Sequence, residues 1–283
     1  MAKTLNPQQQ AALKYIDGPL LVLAGAGSGK TSVITQKIAY LVEECGIPAR
    51  NIAAVTFTNK AAREMKARVA SLLSKPDGRG LTVSTFHNLG LNIIRSEIKA
   101  LGFKPGFSIL DQEDCRNLLK ELLARNSELD EKLIDTAQNT ISNWKNGLLE
   151  PHQAASASAG NSEQATAMLY ERYQRALKAY NAVDFDDLIM TPVLLFRNNP
   201  EILGKWKRRI RYLLVDEYQD TNLAQYELVR TLVNEKQALT VVGDDDQSIY
   251  AWRGARPENL MQLQTDFPSL NIIKLEQNYR STG

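Results

Sequence analysis

Cysteine and histidine are nearly missing from this chain. Cys45 and Cys115 are the only cysteines and His87 and His152 the only histidines among 283 residues. Two cysteines without a spacing pattern argue against a disulfide framework and fit a reducing cytoplasm. So few sulfur and imidazole ligands argue against a zinc site. Long hydrophobic runs are missing too: none approaches the roughly 20 residues that cross a bilayer. The N-terminal MAKTLNPQQQ lacks the apolar centre of a signal peptide, and no membrane association is expected. Nor is there an excess of one charge. Lys and Arg number 34 against 32 Asp and Glu, a net +2. Bulk charge therefore gives little support to a polyanion partner, and a nucleic-acid reading has to come from motifs.

What is present begins with Ala24-Gly25-Ala26-Gly27-Ser28-Gly29-Lys30-Thr31, directly after the apolar run 20–23. Strand, glycine-rich turn and helix is the setting a phosphate-binding loop requires. Glycines let successive N–H groups turn toward phosphate oxygens. The following helix aims its positive end at the same place. In this pattern Lys30 reaches the β- and γ-phosphates and the Thr31 hydroxyl holds Mg²⁺. Ala24 stands where the pattern usually has glycine, a small departure. The expected ligand is a nucleoside triphosphate with its magnesium.

A second apolar run, 212–215, leads into Asp216-Glu217-Tyr218-Gln219-Asp220. A strand ending in two acids is the partner such a loop needs. Asp216 is expected to share the Mg²⁺ shell with Thr31. Glu217 is expected to take a proton from an attacking water, which points to hydrolysis. A third run ends in Gly243-Asp244-Asp245-Asp246-Gln247-Ser248-Ile249-Tyr250-Ala251-Trp252-Arg253-Gly254. Strand ends at the carboxyl edge of a parallel sheet form its ligand crevice. There Gln247 can bond both the γ-phosphate and the water, and Tyr250 and Trp252, beside Arg253, can stack on bases.

Short apolar runs at 20–23, 52–57, 81–84, 212–215, 239–242 and 272–275 alternate with helical stretches. This predicts an α/β fold: a parallel sheet with helices on both faces. From about residue 111 to 207 no strand is expected. Leu118, Leu119, Leu122 and Leu123, then Leu129, Leu133, Ile134, Ala137 and Ile141, recur at helical spacing, as do Met168, Leu169, Tyr173, Ala176 and Leu177. These stripes read as helix-packing core, and 154–162 as a loop. An all-α subdomain inserted into the α/β domain is the simplest arrangement.

Taken together, the motifs resemble the superfamily 1 DNA helicases of the UvrD, Rep and PcrA group, and Rep-like members most nearly. The resemblance runs from Leu5 to the last residue. It is carried also by Thr56-Phe57-Thr58-Asn59-Lys60-Ala61-Ala62-Arg63-Glu64-Met65, by Ile141-Ser142-Asn143-Trp144-Lys145-Asn146, and by Gln277-Asn278-Tyr279-Arg280-Ser281. It implies a RecA-like P-loop NTPase motor domain (1A) from 1–87 and 198–283, with a helical insertion (1B) at 88–197. The second motor domain (2A/2B) is expected outside this chain, and the end at Gly283 is read as a truncation. The implied activity is ATP-dependent 3′-to-5′ translocation on single-stranded DNA and unwinding at single-strand/duplex junctions, in the cytoplasm, with replication or repair proteins as partners. Gln9 is implied to read the adenine edge, Tyr279 to stack on adenine and Arg280 to touch the γ-phosphate. Gln247 and Arg253 are implied to couple nucleotide state to DNA. Phe57, Thr58, Asn59, Phe86, His87, Tyr250 and Trp252 are implied strand contacts. Asp184-Phe185-Asp186-Asp187-Leu188 also matches a family motif, and its plain reading is a helix N-cap. Ser32 replaces an arginine usual in relatives, which puts base recognition in question. Two rival expectations are the motor part of a helicase–nuclease and a stand-alone nucleotide-dependent DNA-binding module.

Overall fold

The computed structural model describes residues 5–25, 29–123, 131–244 and 258–275. Among them lie the strands β1 (Leu20–Ala24), β2 (Ile52–Thr56), β3 (Thr82–Thr85), β4 (Ser108–Leu110), β5 (Ala182–Asp184), β6 (Tyr212–Val215), β7 (Leu239–Gly243) and β8 (Asn271–Leu275). The α-helices are α1 (Pro7–Lys14), α2 (Lys30–Glu43), α3 (Asn59–Leu72), α4 (Phe86–Ser96), α5 (Ile98–Leu101), α6 (Gln112–Leu123) and α7 (Glu131–Asn146). They continue with α8 (Pro151–Ala157), α9 (Asn161–Ala179), α10 (Asp187–Asn198), α11 (Pro200–Arg209), α12 (Leu223–Leu232) and α13 (Glu258–Asp266). The chain divides into two compact units. One comprises Met1–Leu89, Phe196–Asn222 and Tyr226–Gly283, the other Gly90–Leu195 and Leu223–Gln225.

The first unit is built on a six-stranded sheet of order β3-β2-β6-β7-β1-β8. Every neighbouring pair is parallel. The residues of β2, β6 and β7 are buried throughout, which is why their sequences are continuously apolar rather than alternating. Leu20, Val22, Leu214 and Val242 of the sheet share one core with Ile34, Ile38 and Leu41 of α2 and Met65 and Val69 of α3. At the edge of the sheet among the described residues, β8 alternates, with Ile272 and Lys274 exposed. All six strands expected from the apolar runs are present.

The second unit is mainly helical. Leu118, Leu119, Ile134, Ala137, Ile141, Leu169, Tyr170, Tyr173 and Leu177 form its core. Three expectations need correction. Leu133 and Met168 are 51% and 69% exposed. Each lies one residue, about 100° of helix, away from the buried Ile134 and Leu169. The 154–162 stretch is not one loop. Pro151 at the first turn and a Gln153 side chain accepting the Glu150 N–H at 2.9 Å start α8, leaving only 158–160 between α8 and α9. The middle of the chain also holds a strand, since β5 pairs in parallel with β4. Gly90 sits where a Cβ would lie 1.8 Å from the Leu188 carbonyl oxygen. Gly90→Ala is expected to cost about 1–3 kcal/mol through overpacking, read as a lowered urea midpoint.

Asp184-Phe185-Asp186-Asp187 closes on itself as an N-cap: Asp184 Oδ1 accepts the Asp187 N–H at 2.9 Å. It does more than cap. The fully buried Lys145 ammonium donates to Asp184 Oδ2 at 2.6 Å and Asp187 Oδ1 at 2.9 Å. The Tyr173 hydroxyl adds a bond to Asp184 at 3.0 Å. This buried charge cluster joins α7, α9, β5 and α10.

Candidate nucleotide and nucleic-acid site

Three neighbouring strands, β6, β7 and β1, end at the same edge of the first unit's sheet. After β1, the helix α2 begins at Lys30. Its N-cap is Gly29, in the left-handed region at φ 89°. Glycine is required there on a second ground, because a Cβ would lie 2.8 Å from Gln9 Nε2. Gly29 supplies no capping side chain, so the first-turn N–H groups keep the anion-seeking character of a helix start. Gln9 is buried, its Oε1 accepting the Asn6 N–H at 3.1 Å and its own N–H donating to Asn6 Oδ1 at 2.8 Å. That capping box fixes the start of α1. At the other end of α1, the buried Lys37 ammonium donates to the carbonyls of Ala12 and Tyr15. Burial pushes this ammonium down to about 7.

Lys30 Nζ lies 3.4 Å from Glu217 Oε2 and 3.5 Å from Asp244 Oδ2. The lysine after β1 thus meets the acids that end β6 and β7, which lie 187 and 214 residues away in the chain. Asp216 is buried, its N–H donating to the Val55 carbonyl at 2.9 Å and its Oδ1 accepting the Glu217 N–H at 3.0 Å. Burial first and the Glu217 charge second push its carboxyl up to about 7. Asp220 is raised to about 6 for the same two reasons. Glu217 stands at φ 51° and ψ 45°. A side chain held in that region costs about 1–3 kcal/mol and is characteristic of functional positions. The buried Gln219 donates from Nε2 to Glu217 Oε2 at 2.8 Å and accepts the Asp244 N–H on Oε1 at 2.9 Å.

Asp216, Glu217, Asp220 and Asp244 therefore crowd the surroundings of Lys30, and the excess negative charge suits a cation. Among the described residues no three-ligand metal cage is preformed. Magnesium takes one or two carboxylates and completes its shell with water and phosphate. Thr31 and Asp216 fit this donor set. Ser32, beside Thr31, has its hydroxyl occupied by Gln36 Nε2 at 3.0 Å. Ala24 ends β1 and is buried, while Gly25 is exposed. Sequence reading assigned nothing to Gln219, Asp220 or Asp244. Ala26, Gly27, Ser28, Gln247, Tyr250, Trp252, Arg253, Tyr279 and Arg280 lie outside the described residues.

The strand-contact candidates follow β2 and β3, on the other half of the same sheet. Thr58 caps α3, its Oγ1 accepting the Ala61 N–H at 3.1 Å. Exposed Asn59 accepts from Asn88 Nδ2 at 3.2 Å. Phe57 and His87 are half-buried. Phe86 is 1% exposed and packs edge-on against Phe57, centroids 5.3 Å apart. Its ring supports Phe57 from below the surface.

The UvrD/REP helicase N-terminal domain family matches residues 5–268. The chain is 58% identical over 279 residues to the ATP-dependent DNA helicase Rep of Escherichia coli (strain K12), which covers 99% of this chain and 42% of that protein. It is 49% identical over 280 residues to the ATP-dependent DNA helicase PcrA of Bacillus subtilis (strain 168), covering 98% of this chain and 38% of that protein. The chain thus spans about two-fifths of the length of these curated relatives.

Proposed function

We propose, because the chain belongs to the UvrD/REP helicase family, that it is the ATP- and single-stranded-DNA-binding first motor domain, with its helical insertion, of an ATP-driven 3′-to-5′ DNA helicase. One observation carries this reading: Lys30 Nζ lies 3.4 Å from Glu217 and 3.5 Å from Asp244, so the ends of β1, β6 and β7 form one site. The Lys30 ammonium and the α2 N-terminus bind the β- and γ-phosphates. Glu217 accepts the proton of the attacking water on its carboxylate. The Thr31 hydroxyl and Asp216 would hold a magnesium ion, which would supply charge neutralisation at the phosphate oxygens. Gln9 reads the base from beside Gly29. Tyr279, Arg280 and Gln247 complete the nucleotide contacts. Phe57, Thr58, Asn59 and His87, with Tyr250, Trp252 and Arg253, take the strand, and Phe86 braces Phe57.

The sheet order supports the coupling of the two activities, since β2 lies directly beside β6. The remaining length of the relatives is proposed to hold the second motor domain. A cytoplasmic location and action on single-strand/duplex junctions, with replication or repair proteins as partners, belong to the same proposal.

Single-stranded-DNA-stimulated ATP hydrolysis, compared between this chain and the complete protein, tests the reading. The complete protein is expected to be strongly stimulated and to unwind duplex. The 283-residue chain is expected to bind Mg-ATP weakly and turn it over about 10³-fold more slowly, lacking a transition-state arginine from the second motor domain. Robust unwinding by this chain alone would show that domain to be dispensable. A complete protein whose ATP hydrolysis ignored DNA would remove the motor reading.

A further inference from the structure

We propose that Gln219 is a positioning residue that ties the Glu217 carboxylate to the main chain at Asp244, so that the proton acceptor and the exit of β7 move as one piece. The proposal rests on the reading of Glu217 as the base. The chemistry of the two contacts is exacting. A carboxylate only accepts and a backbone N–H only donates, so the bridging group needs a donor and an acceptor at one end of one side chain. The Gln219 amide supplies both, at 2.8 Å to Glu217 Oε2 and 2.9 Å from the Asp244 N–H. The side chain is 3% exposed in the short turn Tyr218–Asp220, and burial holds its orientation.

Glu217 needs such a tether. It sits in the left-handed region with its side chain 40% exposed, and its contact with Lys30 is long at 3.4 Å. Lys30 is also the group assigned to the phosphates. Both carboxylates that Lys30 touches, Glu217 and Asp244, belong to residues that Gln219 also holds. A change at the lysine therefore reaches the end of β7 by two routes, directly at the Asp244 carboxylate and through Glu217 and the buried Gln219 amide. Asp244 immediately precedes the segment in which the sequence places Gln247, Tyr250 and Trp252. Gln219 thus links hydrolysis to the DNA response.

The test uses the complete protein and the variants Gln219→Met, Gln219→Glu and Glu217→Gln. Gln219→Met keeps the length and removes both bonds. It is expected to lower kcat about tenfold or more, to leave KM for ATP within about twofold, and to speed amide hydrogen exchange at Asp244 in the nucleotide-free protein. DNA stimulation of hydrolysis should fall as well. Gln219→Glu keeps the acceptor and loses the donor. It should retain protection of the Asp244 amide while losing kcat, and it carries the test if the methionine variant fails to fold. Parental kcat together with a protected Asp244 amide in Gln219→Met would overturn the proposal, as would a loss confined to KM. Unimpaired hydrolysis in Glu217→Gln would instead overturn the assignment of the base, whatever the Gln219 variants do.

Discussion

Replacing Lys30 with alanine is expected to lower DNA-stimulated ATP hydrolysis by about 10²–10³-fold, the range found when one preorganised donor to a developing negative charge is removed. The ammonium is well placed for that role. Its side chain is 11% exposed and it spans 3.4 Å and 3.5 Å to Glu217 and Asp244, so a phosphate entering here meets a partly desolvated cation. Removing it has a second effect. The Lys30 charge is one of the influences that lower the Asp216 carboxyl, which burial and Glu217 already hold near 7. Without the lysine, Asp216 keeps its proton to higher pH and holds a divalent cation less well. Nucleotide affinity should therefore fall together with kcat. Steady-state hydrolysis and binding of a fluorescent ATP analogue check this in the complete protein, with circular dichroism reporting the fold. A rate within about threefold of the parent would place the phosphate site elsewhere.

Why Lys30, Asp216 and Glu217 were legible in the sequence, and Gln219 and Asp244 were not, is a matter of what each depends on. The first three sit at strand ends that the apolar runs announce, and their residue types alone specify phosphate and metal chemistry. The bridge by Gln219 exists only because β6 and β7 are neighbours, with Leu213 opposite Leu239. No local pattern encodes that pairing. The same holds for β5. Ala182-Val183-Asp184 is too short to show a period, and its partner β4 lies over 70 residues earlier. The helix α8 was missed for another reason. Its alanines and serines resemble loop composition, while its start is specified by Pro151 and Gln153. Phe86 shows what a motif leaves unsaid about packing. Its position beside His87 follows from the sequence, but its burial against Phe57 follows from packing that only the fold reveals.

Exchanging Lys145 for methionine should cost the helical unit about 3–5 kcal/mol, because it strands two carboxylates inside the protein. Burial works against the Lys145 charge, but Asp187 and Asp184 override it and raise the ammonium above the ordinary lysine value. Burial likewise works against the Asp184 charge, and Lys145 overrides it, holding that carboxyl below 3.8. Asp187 is raised to about 6 by burial and by the Asp184 charge. The signs follow. Asp184 contributes stability above 3.8 that is lost in acid. The contribution of Asp187 is present below 3.8 and lost as pH rises through about 6. Without Lys145, the attraction that lowers Asp184 is gone and burial raises both carboxyls. The variant is then most stable below 3.8, where both acids are neutral in either state, and weakens as pH rises. Its deficit against the parent should be small near pH ~4 and complete by pH ~7. Urea unfolding followed by tryptophan fluorescence, to which Trp144 contributes from its stack on Tyr170 at 5.9 Å, checks this. A deficit equal at all pH values would trace the loss to packing of the lysine stem. Partial recovery in Lys145→Met combined with Asp187→Asn would trace it to the stranded charge, because the second change removes one buried anion and keeps an acceptor of similar shape.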